Sequence, residues 1–146
     1  TMPGLRALDR YAVRCGGGAN HRDDLGSGVL IKENHVAVAG GVDAAVKAAK
    51  QSAPHGMKIE CEVRSLDELR AAIDAGADAC LLDNMSLDEL RQAVALAGGR
   101  VLLEASGGVN LETIGPIAAT GVDVISVGGL THSAPAVDLS MLFRGT

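Results

Sequence analysis

The chain has 146 residues, a formal net charge of −5 and 47% hydrophobic residues, which is the size and composition of about one globular domain. Tyr11 and Phe143 are its only aromatic residues, and it has no basic stripe, so the composition argues against nucleic-acid binding. No apolar run approaches the roughly 20 residues that span a membrane. Small aliphatic side chains and 19 glycines favour tightly packed α/β layers.

Strands and helices alternate along the chain. The first helix is indicated by Leu5, Leu8, Ala12 and Cys15, which fall on one helical face. In chain order the predicted elements are a helix over 5–15 ended by the glycines at 16–18, a strand at 29–31, a helix at 43–52, a strand at 59–63, a helix after Ser65, a strand at 79–82, a helix after Ser86, a strand at 101–103, a helix capped by Asn110 and followed by Gly121, and a strand at 124–127. This alternation is typical of parallel βα units with right-handed crossovers. The strands read as apolar throughout, which indicates a sheet covered on both faces.

One hexapeptide occurs twice in the sequence. Ser65-Leu-Asp-Glu-Leu-Arg70 recurs letter for letter as Ser86-Leu-Asp-Glu-Leu-Arg91. Each copy is a capping box that opens an amphipathic helix, and glycines at Gly76 and at 98–99 end the two helices. The repeat therefore predicts two equivalent βα units.

Polar residues stand where each predicted strand meets its following loop, which favours a barrel over a doubly wound sheet. These residues are Lys32, Glu62, Asp83, Asn84, Glu104, Ser106 and Ser126. In a βα barrel the active site is built from the carboxyl ends of the strands. About five units are present, whereas eight need roughly 250 residues. The predicted fold class is α/β, an open or incomplete parallel βα barrel of the TIM type.

Three cysteines, Cys15, Cys61 and Cys80, lie in apolar segments. Their number is odd and no CxxC motif is present, so reduced, structural thiols in a cytoplasmic protein are predicted. A catalytic or metal-binding cysteine is the alternative.

Glu62 and Asp83 form a candidate acidic pair, since each stands three residues before the serine of the repeat. Carboxylates at matching places on neighbouring parallel strands face one mouth of the sheet. They suit Mg²⁺ with a polyphosphate, or the hydroxyls of a sugar. The alternative is two solvated acids near helix N-termini, where the helix dipole favours negative charge.

Residues 14–35 gather Arg14, His21, Arg22, Lys32 and His35 in an otherwise acidic chain. Lys32 ends an apolar strand, so its ammonium group has to reach an anion or bulk water. His21 and Arg22 lie in a glycine-rich loop, where arginine can bind a carboxylate or phosphate through two hydrogen bonds. A small, multiply anionic ligand is favoured over solvated surface cations, and Arg14 can instead interact with its helix C-terminus.

Two glycine pairs follow the fourth and fifth strands, as Ser106-Gly107-Gly108 and Gly128-Gly129. Loops after late barrel strands often bind phosphate through backbone N–H groups, although turn glycines are the ordinary alternative. His132 follows the second pair as a phosphate donor or a plain loop histidine. The residues thus predict a mouth with a cationic half, an acidic half and glycine loops at its rim.

The segments PGLRALDRYAVRCGGGANHR, VLIKENH, LLDN, EASGG and ISVGGLTHSAPAVDLS together resemble the quinolinate phosphoribosyltransferases, and the resemblance runs in order over nearly the whole chain. The resemblance implies transfer of a phosphoribosyl group from phosphoribosyl pyrophosphate to quinolinate with Mg²⁺. The implied products are nicotinate mononucleotide, pyrophosphate and CO₂, in de novo NAD biosynthesis.

The resemblance also implies roles for individual residues. His21, Arg22 and Lys32 would hold the two quinolinate carboxylates, whereas Glu62 and Asp83 would face the ribose and the metal-pyrophosphate. Lys32, Glu62 and Asp83 are thereby the candidate catalytic residues. The 5-phosphate would be cradled by Ser106, Gly107, Gly108, Gly128 and Gly129, with His132 nearby.

Members of the family carry an Arg-Lys pair before the threonine that matches Thr1, an N-terminal α/β domain, and a further substrate arginine from a neighbouring subunit. Residues 1–146 are therefore expected to be the C-terminal barrel portion of a homodimeric or larger parent, inactive alone. The conservative departures are Glu33, where aspartate is frequent, and Gly129, where alanine is frequent. The alternatives are a related transferase with another acceptor, such as nicotinate, and a non-catalytic fragment or binding module.

Overall fold

A parallel sheet of five strands is the framework of residues 20–127. The strands are β1 (Val29–Ile31), β2 (Ile59–Val63), β3 (Ala79–Asp83), β4 (Leu102–Ser106) and β5 (Val124–Ile125), and they lie side by side in chain order. Because β1 and β5 each have one strand neighbour, the sheet is open. The predicted fold, an α/β open barrel of about five units, is confirmed.

The computed structural model describes residues 1–145, which fall into two units. The first unit, residues 1–19 with 128–145, contains α1 (Arg6–Cys15) and α7 (Gly129–His132). The second unit carries the sheet with α2 (Glu33–Ala39), α3 (Val42–Ser52), α4 (Leu66–Ala75), α5 (Leu87–Ala97) and α6 (Ile114–Ala118). None of the helices formed by residues 1–145 has the length and apolarity needed to cross a membrane.

Most predicted elements are present, and the differences have local causes. The sequence pattern missed α2 and α7 because both are short, at seven and four residues. The prediction that Asn110 caps a helix was wrong. Its Oδ1 accepts hydrogen bonds from the N–H groups of Glu112 and Thr113, so it closes a turn, and α6 begins after Thr113.

The two copies of the hexapeptide open α4 and α5 as predicted. Ser86 Oγ accepts from Glu89 N–H at 3.3 Å and Glu89 Oε2 accepts from Ser86 N–H at 2.8 Å, which is a reciprocal capping box. In the first copy Ser65 Oγ likewise accepts from the N–H of Glu68 at 3.2 Å. Gly76 and Gly98 end the helices with left-handed backbone, at φ 88° and 54°.

The hydrophobic core lies between the sheet and the helices that cover one of its faces. Val46, Leu69 and Leu90 contribute from α3, α4 and α5, and the buried thiols of Cys61 and Cys80 contribute from paired positions on β2 and β3. Burial raises the pKa of these thiols to about 11 and about 12, so they are packing groups rather than nucleophiles. Cys15, by contrast, is exposed.

The opposite face of the sheet is polar, which corrects the expectation of strands that are apolar throughout. Along β2 the residues Ile59, Cys61 and Val63 are buried in the core, so Glu60 and Glu62 project to the other face. This polar face carries the candidate site.

Candidate active site on the polar face of the sheet

The register of the strands places the acidic residues in staggered rows. Glu62 pairs with Leu81, and Leu81 pairs with Glu104, so these three side chains lie in one row across β2, β3 and β4. Asp83 lies two residues beyond Leu81 and pairs with Ser106. Glu62 and Asp83 therefore share a face, but Asp83 is one step nearer the strand ends, so equivalence in the repeat is not equivalence in register.

Lys32, which follows β1, faces a carboxylate rather than bulk water alone. Its Nζ lies 3.7 Å from Oε2 of Glu62, whose side chain is only 9% exposed. Burial raises the pKa of Glu62, the Lys32 ammonium group opposes this shift, and Asp83 and Glu33 add to it. The candidate catalytic residues Lys32 and Glu62 thus form one charge pair, and the cationic and acidic sets are interleaved rather than placed in separate halves.

Arg64 was not predicted as a site residue, yet it lies among three acidic side chains. Its guanidinium group is 3.5 Å from Glu62, 3.5 Å from Asp83 and 3.6 Å from Glu33. These carboxylates come from β2, β3 and the first turn of α2. The signal in the sequence was the position of Arg64 directly after β2, at the strand end where barrel sites are built.

A second polar cluster joins His21 to Glu60 and Glu104. Nε2 of His21 is 3.2 Å from Glu60 Oε2 and 3.7 Å from Glu104 Oε2, and the hydroxyl of Ser126 donates to the other oxygen of Glu104 at 2.5 Å. Glu104 is 5% exposed. Burial raises the pKa of Glu60, and Glu104 adds to this shift while His21 opposes it. Alternation along β2 could have identified Glu60, since it shares a face with Glu62.

The ligand atoms of His21, Glu60 and Glu104 lie within 4.8 Å of one another, a spacing that suits a metal ion. The hydrogen bonds favour a different reading. Nδ1 of His21 accepts from the backbone N–H of Arg22 at 2.8 Å, so in the neutral ring the proton is on Nε2, which faces the two carboxylates. A metal would need the lone pair of Nε2. The cluster is therefore a hydrogen-bonded group that orients His21.

Arg22 lies in the same loop as His21 and is held by the backbone. Its Nη1 donates to the carbonyl oxygen of Gly28 at 3.0 Å, and the side chain packs along Gly28, where an added Cβ would meet Arg22 Cβ at 3.7 Å. His21 and Arg22 thus have defined orientations before any ligand binds.

The ends of β3 and β4 are joined through Asn84. Its backbone N–H donates to the carbonyl oxygen of Ser106 at 2.9 Å, and its Nδ2 donates to Asp83 Oδ1 at 2.9 Å. Gly107 has φ 96°, and a Cβ there would overlap the Asn84 side chain. Of the predicted phosphate loop, Ser106, Gly107 and Gly108 are therefore placed directly beside Asp83 and Asn84.

The remaining predicted phosphate residues belong to the first unit. Gly128 precedes α7 and Gly129 begins it, and a Cβ on Gly128 would meet His132 Nε2 at 3.0 Å. Nδ1 of His132 lies 2.6 Å from the Ser133 hydroxyl. A phosphate role for these three residues stays a prediction from the sequence.

The sequence model for the C-terminal domain of quinolinate phosphoribosyl transferase matches residues 1–142. The chain belongs to this family. Two curated relatives are the carboxylating nicotinate-nucleotide pyrophosphorylases of Mycobacterium leprae (strain TN) and Homo sapiens. They are 46% and 44% identical over 144 residues, each covering 97% of this chain.

A solved structure gives the same result for the fold. The nicotinate-nucleotide pyrophosphorylase from Francisella tularensis superposes with a TM-score of 0.89 at 50% identity and covers 96% of this chain. The match takes up 50% of that chain, and it takes up 50% and 48% of the two curated relatives. The chain therefore spans about half the length of the family members that it matches.

Proposed function

We propose that this chain carries the phosphoribosyl-transfer site of an enzyme that joins quinolinate to phosphoribosyl pyrophosphate. The products would be nicotinate mononucleotide, pyrophosphate and CO₂, in NAD biosynthesis. The observation that carries the proposal is the meeting of Lys32, Glu62 and Asp83 at the carboxyl ends of β1, β2 and β3 in a chain of this family. Both names of the relatives and the polarity of this face agree with such a reaction.

The cations are suited to the acceptor. Quinolinate has two carboxylates, and His21, Arg22 and Lys32 are the residues proposed to bind them. Arg22 and His21 are oriented by backbone hydrogen bonds, and Lys32 stands on the polar face beside Glu62. Groups whose orientation is set before binding lose less entropy when a ligand arrives.

The acids are suited to the donor. Glu62 and Asp83 offer the oxygen ligands that Mg²⁺ prefers, and Mg²⁺ usually combines one or two carboxylates with substrate phosphates. Arg64 already lies between these two carboxylates, so the space between them suits a cation. Bound Mg²⁺ would neutralise charge on the pyrophosphate leaving group, and Ser106, Gly107 and Gly108 are proposed to receive the 5-phosphate.

The protein's own side chains would act by position and charge. Loss of pyrophosphate develops positive charge on the ribose ring, which nearby carboxylates such as Glu62 and Asp83 stabilise in a partly buried setting. Holding quinolinate through both carboxylates aims its ring nitrogen at the ribose carbon. Lys32 would serve both purposes, since it binds the acceptor and fixes Glu62.

Titration calorimetry with quinolinate tests the acceptor site. We expect the chain to bind quinolinate, and Lys32→Met to weaken binding about tenfold, because a charged hydrogen bond contributes about 1.5–3 kcal/mol. Lys47→Met is the matched control, since Lys47 pairs with Asp43 along the exposed side of α3. Equal binding of nicotinate and quinolinate would favour the related transferase with nicotinate as its acceptor and would contradict the proposal.

We also propose that the enzyme is a homo-oligomer in the cytoplasm. The open edges at β1 and β5 leave backbone groups that a further part of the protein or a neighbouring subunit can cover. Buried, unreactive thiols at Cys61 and Cys80 are compatible with a reducing compartment.

A further inference from the structure

The cation between Glu62 and Asp83 is a side chain of the chain itself. Arg64 Nη2 is 3.5 Å from Glu62 Oε1, and Arg64 Nε is 3.5 Å from Asp83 Oδ2. Nη2 is also 3.6 Å from Oε2 of Glu33. One guanidinium group thus contacts carboxylates from three different elements.

The backbone of Arg64 is held in place by the first copy of the hexapeptide. Oε2 of Glu68 accepts from the Arg64 N–H at 2.7 Å, whereas the corresponding Glu89 turns back onto Ser86 in the second copy. The residue that corresponds to Arg64 in the second copy is Met85. Neither the helix start nor the repeat therefore requires a charge at position 64.

The acidic partners are fixed, but the arginine is able to leave. The side chains of Glu62 and Asp83 are 9% and 22% exposed, whereas that of Arg64 is 55% exposed. An exposed guanidinium group on a long side chain can move into water at low cost. The two carboxylates cannot follow it, because they project from the strands of the sheet.

We propose that Arg64 is a built-in counter-cation that competes with a divalent cation for Glu62 and Asp83. The inference rests on the proposed use of these two residues for Mg²⁺. Guanidinium and metal would contact the same carboxylate oxygens, so binding of the metal displaces Arg64. The displaced positive charge then remains beside any anion that accompanies the metal. Arg64 is thus a positioning residue that lowers the affinity of the empty site for free metal.

Binding of Mn²⁺ alone, followed by electron paramagnetic resonance, tests the competition. Arg64→Met copies the residue of the second repeat and keeps a similar side-chain length. Removing one positive charge about 4 Å from two carboxylates should tighten Mn²⁺ binding about tenfold, after allowance for solvent screening. Arg70→Met, which removes the same charge from the exposed side of α4, should leave the affinity within about twofold. A purely structural role for Arg64 would instead weaken binding.

Three further measurements decide the outcome. Adding Glu62→Gln to Arg64→Met should abolish the gain, and Arg64→Gln should reproduce the gain if the methionine variant folds poorly. Equal or weaker Mn²⁺ binding in both Arg64 variants, an equal gain in Arg70→Met, or a gain that survives Glu62→Gln would overturn the inference. Since no quinolinate or phosphoribosyl pyrophosphate is used, failure of the proposed function would appear separately, as absent quinolinate binding.

Discussion

At the scale of single residues, the polar face shows that each predicted cation has an internal partner. Lys32 faces Glu62, His21 faces Glu60 and Glu104, and Arg22 donates to a backbone carbonyl. An anionic ligand therefore exchanges existing contacts for new ones. Its net affinity is the difference between the two sets, and this difference is smaller than the count of cations indicates.

Glu104→Gln tests the repulsion within the cluster at His21. A raised pKa at Glu60 means that the folded protein holds a proton that the unfolded chain releases, so this group lowers stability as the pH rises above about 4.5. The variant removes the charge of Glu104 but leaves the burial of Glu60 unchanged. Its free energy of unfolding relative to the native sequence should rise by about 1 kcal/mol between pH 4 and pH 7.

Urea unfolding at several pH values measures this difference. The glutamine introduced by this substitution can still accept the hydrogen bond from Ser126, so loss of that contact does not mask the effect. Glu112→Gln, an exposed position in the turn before α6, is the control and should show no such trend. A difference that is independent of pH would contradict the assignment of a shared proton to Glu60 and Glu104.

At the scale of elements, the loop after β4 is shaped by one glycine more than by its neighbour. Gly107 has φ 96° and faces the Asn84 side chain, whereas Gly108 has φ 61° and open space around its Cα. Asn84 itself has φ 54° and joins β3 to β4. The close approach of two strand ends, rather than loop flexibility, therefore explains the glycine at 107.

Gly107→Ala and Gly108→Ala separate backbone strain from steric overlap. Both variants place a side chain at positive φ, which costs about 1 kcal/mol. Only the first also forces Asn84 to move, so its total cost should be about 3 kcal/mol. Thermal or urea unfolding of the two variants measures the difference, and equal costs would show that Asn84 yields freely. The first variant should also disturb the contact of Asn84 with Asp83.

At the scale of the whole molecule, the decisive fact is that the chain matches about half the length of its relatives. Its five-stranded sheet is open, and the polar face holds acids and cations without a closed barrel around them. Binding needs only the groups that contact a ligand, whereas turnover also needs water excluded and both substrates aligned.

We therefore expect this chain to bind quinolinate without turnover. The assay is formation of nicotinate mononucleotide from quinolinate and phosphoribosyl pyrophosphate with Mg²⁺, with the full-length Mycobacterium leprae relative as the positive control. Product formation by the 146-residue chain at a rate near that of the relative would contradict the expectation. Absence of both binding and turnover would support the alternative of a non-catalytic fragment.

The sequence by itself determined the local structure and the family. Apolar segments, the repeated capping box and the glycines locate β1, β2, α4 and α5 nearly to the residue, because these signals act within a few positions of the chain. The same linear signals identified Lys32, Glu62 and Asp83, since a polar residue at the end of an apolar strand is a local anomaly.

Only the tertiary structure decided how these groups meet. The offset of Asp83 from Glu62 depends on strand register, and the insertion of Arg64 between them depends on three elements that are distant in sequence. Glu60 and Glu104 become partners of His21 only because β2, β3 and β4 are stacked side by side. Register and packing arise from long-range contacts, which no local pattern of residues encodes.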